Sequence, residues 1–326
     1  MPLVSVIVPG FNHARFLETR LTSIAEQSFK DFELILLDDA STDGSREIFR
    51  RFAGLRACTL VLNDENSGSA FRQWAKGIRH AKGKYIWIAE SDDVAAPEFL
   101  ESMVELLEQY PGCGFAYCNS LKVDVTGRSL GVITESFSES APLHWESSYV
   151  ASGREELKRF MLLENTIPNA SAVVFRRSIY DAAGGVDETM KLSADWKLWG
   201  SIMAISDVAY SATLLNQFRC HDQSVRASRK AWPGLAEDLS VMRHITRYLE
   251  LSPLMKQRLD VRFWVLLLEA FRRKFPTFRE AHATAKIARE LHLNLSPGIV
   301  WRLLGRIFSA CVKRVASLTR PTTAQR

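Results

Sequence analysis

Four short apolar runs alternate with four amphipathic stretches in the first 110 residues, and this alternation narrows the available folds more than any other feature. "LVSVIVPG" is β-branched and closed by Pro9 and Gly10, as a buried strand would be. "NHARFLETRLTSIAEQS" then sets Phe16, Leu17, Leu21 and Ile24 on one helical face, with Asn12 as the expected N-cap. "FELILLDD" reads as a second strand and "STDGSREIFRRFA" as a second helix capped by Ser41 or Thr42. "CTLVLN", the turn "DENSGS" and a helix over about 70–81 follow. "KYIWIAESDD" is the fourth strand, and "PEFLESMVELLEQYP" the helix after it. Such spacing predicts an α/β fold: a Rossmann-like, mostly parallel central sheet with helices on both faces.

Ligands of such sheets sit at the carboxyl ends of the strands. Three of the four expected strands end in polar side chains: Asn12 after the first, Asp38 and Asp39 after the second, Asp92 and Asp93 after the fourth. Adjacent carboxylates repel unless a cation lies between them, and carboxylate oxygens suit Mg²⁺ or Mn²⁺. A metal so held can bridge a diphosphate and offset charge on a departing phosphate. Asp39 is then placed to hydrogen-bond a base or ribose. The plainer alternative makes these aspartates solvated turn residues or helix caps.

The rest of the chain constrains partners and compartment. Its 326 residues allow one large domain or two ordinary ones, and 47% hydrophobic with 24% charged content fits a globular protein. A net charge of +5 suits anionic substrates or a membrane surface. No basic stripe with interleaved aromatics occurs, so no nucleic-acid partner is expected. The five cysteines form no CxxC pair, which fits a reducing cytoplasm. "MPLVSVIVPG" lacks the basic start of a signal peptide, and no run reaches the ~20 apolar residues that cross a bilayer.

After residue 113, "GFAYCN", "SAVVFRR" and "AYSATLLNQF" read as further strands, with a Ser-rich segment over 129–153. Gly184–Gly185 reads as a turn, with a helix C-cap as the alternative. From about 230 the pattern is helical, so a boundary is expected near 225, dividing 1–225 from a C-terminal helical extension over 226–326. Pro297 to Arg326 carries six Lys or Arg and no Asp or Glu, with Ile299, Leu303, Leu304, Ile307 and Phe308 on one apolar face. That composition suits a helix lying in a membrane interface beside anionic lipid. Packing on the protein's own core, or a dimer contact, stays open.

The segments "VSVIVPGFN", "SFKDFELILLDDASTDGS", "NSGS" and "AKGKYIWIAESDDVAAPEFL", in this order, resemble the nucleotide-binding half of family 2 glycosyltransferases. The resemblance is dense over residues 3 to 110 and thinner to about 225. It implies a GT-A fold, a nucleotide-diphospho-sugar donor, Mn²⁺ or Mg²⁺, and inversion at the anomeric carbon. It divides the first 225 residues into a nucleotide-binding half, 1–112, and an acceptor or catalytic half, 113–225. It matches Pro9, Asn12 and Asp39 to donor nucleotide contacts, Asp92 to the ribose side and Asp93 to the metal. Glu90 stands where the family often has Asp, and "AFRQWAKG" stands where it often shows "ARN", leaving Arg72 or Lys76 to face the phosphates.

An inverting transfer also needs a base opposite the leaving diphosphate. "SADWKLW" resembles the family's motif of an acidic residue before Trp, which makes Asp195 the expected base; a helix cap by Asp195 or Ser193 is the alternative. "FRCHDQSVRAS" resembles the late RxH element, giving His221 as a further metal ligand and Arg219, Arg226 and Lys230 as charges on the diphosphate. The acceptor is then a glycan or lipid-linked hydroxyl in cell-surface polysaccharide or lipopolysaccharide synthesis. The location is cytoplasmic, with the C-terminal basic helix peripheral on the inner face of the membrane. Two other functions compete: a sugar-phosphate nucleotidyltransferase and a non-catalytic nucleotide-binding module. The first normally needs a Gly-rich basic loop after the first strand, which "PGFNHARF" does not supply.

Overall fold

A computed structural model describes residues 1–137, 143–222 and 231–293. Strand β1 (Val4–Gly10) lies at the heart of the sheet, with all seven residues buried. Helix α1 (Ala14–Ala25) leads to β2 (Phe32–Asp38), α2 (Ser45–Leu55) to β3 (Thr59–Leu62), and α3 (Ala70–His80) to β4 (Tyr85–Ile88). These four strands run parallel in the order β3-β2-β1-β4, with Ile7 beside Ile35 on one side and Ile88 on the other.

Both faces of this sheet are apolar, which explains why β1 shows no polar alternation. Ile7, Ile35, Leu37 and Ile86 pack with Trp74 and Ile78 of α3, while Val6, Val8, Leu34 and Leu36 pack with Leu17, Leu21 and Ile24 of α1. Burial of each such side chain is worth about 1.5–3 kcal/mol. Helix α3 can sit this close because residue 77 is glycine: a Cβ there would lie 2.4 Å from Ile7 Cγ2.

The second half widens the sheet. A short β5 (Val94–Ala95) precedes α4 (Phe99–Gln109), β6 (Cys113–Val123), β7 (Ser129–Val132), β8 (Tyr149–Ala151) and α5 (Gly153–Glu156). Then come β9 (Val173–Arg176), α6 (Arg177–Ala182), α7 (Ala194–Met203) and β10 (Asp207–Arg219). Strand β9 enters between β4 and β6 and is antiparallel to both, and β5, β7 and β8 also pair antiparallel, so the ten-stranded sheet is mixed, with its parallel part in β3-β2-β1-β4 and in the β6–β10 pair.

Three helices complete the described chain: α8 (Ala231–Thr246), α9 (Pro253–Arg273) and α10 (Phe278–Glu290). Leu235, Leu239, Met242 and Ile245 of α8 share one core with Trp199 and Ile202 of α7. The described part of the helical extension is therefore packed into the body of the molecule. The expected boundary near 225, Arg226, Lys230 and the basic segment from 297 lie outside the described residues. Among the described residues, no helix is long and apolar enough to cross a membrane.

Three local expectations are corrected. Asn12 is not the cap of α1: it adopts a left-handed conformation (φ 54), and its Oδ1 accepts from the Thr42 backbone N–H, tying the exit of β1 to that of β2. Neither Ser41 nor Thr42 caps α2. Asp43 does this instead, accepting from Ser45 N–H at 3.0 Å and reaching across to Ala14 N–H at 2.9 Å, so that one carboxylate serves the starts of α1 and α2. Gly184 and Gly185 form the C-cap of α6. Their N–H groups donate to Asp181 and Tyr180 carbonyls, and their positive φ values of 88° and 72° are those that end a helix this way.

Candidate active site

A cavity of about 980 Å³ opens at the carboxyl ends of the strands. Its floor carries Pro9 at the end of β1, His13 after β1, Asp39 after β2, and Glu90, Asp92 and Asp93 after β4. The opposite wall carries Asn165, Asp195 and residues of α8 and α9. The topology thus gathers residues from the strand exits and from the helical half of the chain around one space.

The acidic exit of β4 is balanced from below. Arg20, wholly buried on α1, donates from Nε to the Glu90 carbonyl at 2.8 Å and stacks over Trp87 at 5.2 Å. Burial lowers Arg20 to about 10, while the charges of Asp93, Asp92 and Glu90 act to raise it. Burial and then the Asp92 charge push Glu90 up to about 8 and Asp93 up to about 7. Glu90 accepts from Trp74 Nε1 at 2.6 Å. This position, left without a role by its departure from Asp, is occupied by a contact with the α3 indole.

The two neighbouring aspartates face different ways. Asp93 is 2% exposed and accepts from the Arg219 backbone N–H at 2.9 Å. Asp92 accepts from or shares a proton with His221, with Oδ2 2.9 Å from Nε2. Burial alone would raise Asp92; the His221 hydrogen bond and the charges of His13 and His221 outweigh it and leave Asp92 below its ordinary value. One ligand atom from each of His13, Asp92 and His221 lies within 4.8 Å of the other two. This is the group that fits a divalent cation, and it holds Asp92 and His221 but not Asp93. His13 is new to the set. Among the described residues nothing hydrogen-bonds the buried Nδ1 of His221, as expected where a further interaction completes the site. Two imidazoles with one carboxylate suit a divalent transition-metal ion better than the harder Mg²⁺.

Asp39 is 4% exposed and organises the loop before α3. Its carboxylate accepts from Asn63 Nδ2 at 2.7 Å, Ser67 N–H at 2.9 Å and Oγ at 2.7 Å, and Gln73 Nε2 at 2.9 Å. Asp38 does not join it, but forms a buried ion pair with Arg46 at 2.8 Å. Arg72 and Lys76 line a separate depression of about 480 Å³ beside the main cavity. There Arg72 donates to the Ser67 carbonyl at 2.9 Å and Lys76 to Asn63. Arg219 lines the main cavity, yet its guanidinium already donates to the Asp92 and Asp124 carbonyls at 2.8 and 2.9 Å.

Asp195 stands in the first turn of α7 and accepts from Asn165 Nδ2 at 2.9 Å. Ser193 occupies the N-cap position without a side-chain capping bond. Its hydroxyl instead donates to Asp238 Oδ1 at 2.8 Å.

The glycosyl transferase family 2 profile matches residues 5–182, more than half of the chain. This chain belongs to glycosyl transferase family 2. It is a transferase, as the names of its relatives also indicate. TuaG of Bacillus subtilis strain 168, a glycosyltransferase named for teichuronic acid biosynthesis, is 27% identical over 76% of this chain and 89% of its own length. A glycosyltransferase of Rickettsia prowazekii is 25% identical over 68% of this chain and 64% of its own length. Among solved structures, Staphylococcus aureus TarS 1–349 in complex with UDP-GlcNAc superposes with a TM-score of 0.67 at 16% identity, over 88% of this chain and 80% of that one. The Pyrobaculum calidifontis mannosyltransferase PcManGT, in complex with GDP-Man and Mn²⁺, gives 0.57 at 19% identity, over 95% and 81%. These neighbours establish the GT-A fold, so the family and fold expected from the motifs are both found. In this glycosyltransferase the residues that sequence reading overlooked are Arg20 and His13. Arg20 carried a signal: it is four residues after Phe16 and four before Ile24, on the apolar face of α1, where an unpaired arginine needs anions.

Proposed function

We propose that the chain is a Mn²⁺-dependent, inverting glycosyltransferase that moves a sugar from a nucleotide-diphospho-sugar to an acceptor hydroxyl of a cell-surface polysaccharide. The observation that carries this reading is the shared cavity, with the His13–Asp92–His221 group near its floor and Asp195 in its wall. The names of TuaG and TarS's bound donor point toward cell-wall glycans and UDP-sugars, and PcManGT's toward GDP-sugars. The acceptor and any membrane contact belong to the same proposal.

His13, Asp92 and His221 would hold the cation, which when bound offsets negative charge developing on the departing diphosphate. Asp39 and the loop it braces flank the nucleotide side. Asp195, oriented by Asn165, takes the proton of the acceptor hydroxyl as its oxygen bonds to the anomeric carbon. The bond from that carbon to the diphosphate oxygen breaks on the opposite face, so the configuration inverts. Trp74 donates to Glu90 Oε1 at the edge of the same cavity. Asp195→Asn tests the assignment: it should leave nucleotide binding by calorimetry within about twofold and lower transfer by roughly 10³-fold, within the usual range for loss of a general base. Transfer at the wild-type rate would remove Asp195 from this role.

A further inference from the structure

Helix α8 lies outside the segment matched by the family, yet it places two carboxylates against the chain that leads into α7. Glu237 Oε1 accepts from the backbone N–H of Lys191 at 3.0 Å, and Oε2 accepts from Leu192 at 2.8 Å and Ser193 at 3.0 Å. One carboxylate thus binds three consecutive peptide N–H groups. The next residue, Asp238, takes the Ser193 hydroxyl. Asp195 follows two residues later.

We propose that Glu237 is a positioning residue for Asp195, and that the C-terminal helices are therefore part of the catalytic apparatus. The proposal rests on the reading of Asp195 as the base. Hydrogen bonds to an ionised acceptor are about twice as strong as neutral ones. An anion at this place also complements the positive end of α7. The side chain of Ser193 does not cap α7; Glu237 instead holds the backbone of the three residues that lead into it. The anchor is itself rigid. Leu235, Leu239 and Met242 are buried in the main core, and Gly200 of α7 lets Ile245 of α8 approach so closely that an added Cβ would meet it at 3.0 Å. A displacement of about 1 Å at a reacting group can cost on the order of 100-fold in rate, so a clamp on its backbone bears directly on turnover.

Glu237→Gln keeps the side-chain shape but turns an N–H donor toward one of the three peptide N–H groups. The full-length protein and this variant are compared by three measurements: kcat with the UDP-, GDP- or dTDP-sugar that it turns over, the Kd of UDP and GDP with Mn²⁺, and amide hydrogen exchange. The expected result is a fall in kcat of tenfold or more, nucleotide Kd within twofold, and exchange at least tenfold faster at residues 191–193 while β1 keeps its protection. A kcat within twofold of wild type overturns the proposal, as does a uniform loss of exchange protection with equal loss of nucleotide binding. Should Glu237→Gln fail to fold, Ser193→Ala removes the Asp238 tether and must show the same split of kcat from Kd, or the proposal falls. Asp195→Asn in the same assay separates the two claims: an active Asp195→Asn removes the base, whereas the exchange data judge the clamp alone.

Discussion

The edge we assign to the donor and the wall we assign to the acceptor are built in different ways. At the donor edge, Asp39, Glu90, Asp92 and Asp93 follow the ends of parallel strands and take hydrogen bonds from Asn63, Gln73, Trp74, His221 and the Arg219 backbone, with Arg20 buried beneath. On the acceptor wall, Asp195 sits on a helix whose first turn is held by Asn165, 30 residues earlier, and whose approach is held by α8, over 40 residues later. Charge is concentrated and balanced by Arg20 in the first region, whereas in the second Asn165 and Glu237 set the place of a helix and of the segment that leads into it. The difference implies that the donor edge fails through electrostatics and the acceptor wall through geometry.

Arg20→Leu is the strongest way to break the donor side. It leaves three carboxylates without their buried counter-charge, and losses of about 3–5 kcal/mol are usual when one partner of a buried charged set is removed. Urea unfolding should show that loss. It should also show the gap from wild type widening from pH 6 to 9, because Asp93 and Glu90 ionise near 7 and 8. A stability equal to wild type across this range would mean that Arg20 balances nothing.

A smaller effect is expected behind the acceptor wall. His244 of α8 shares a 2.7 Å hydrogen bond with Ser201 of α7, and burial, with Lys197 and Arg247 nearby, lowers it to about 4. The unfolded chain takes up this proton near 6.5 and the folded chain only near 4, so its contribution is complete above 6.5 and is lost as pH falls toward 4. His244→Gln should flatten stability over that window relative to wild type, by denaturant unfolding at pH 7 and pH 5. An unchanged slope would show that His244 does not couple α7 to α8.

The same contrast explains what was legible in the sequence. The strands, crossover helices and acidic exits followed from local patterning, since side-chain period and turn residues are fixed within a few positions. The donor motifs lie on those exits, so Pro9, Asp39 and Asp92 could be placed at the cavity. Both Asp92 and Asp93 line the cavity, but which of them joins the two histidines was not legible, because both lie in the turn beyond β4, where no strand alternation fixes their direction. His13 and His221 are far from Asp92 in sequence, the latter by 129 residues, so only the closed sheet brings them together. The antiparallel entry of β9 was hidden for a similar reason: "SAVVFRR" reads as a buried strand in either direction.

Anomalous diffraction at the manganese edge, from crystals soaked with Mn²⁺ and a nucleoside diphosphate, tests the central claim most directly. A peak bonded by Asp92, His221 and His13, beside the diphosphate and within the cavity that holds Asp195, is the predicted result. A peak bonded by Asp93 in place of Asp92, or no peak while His221 stays hydrogen-bonded to Asp92, would contradict it.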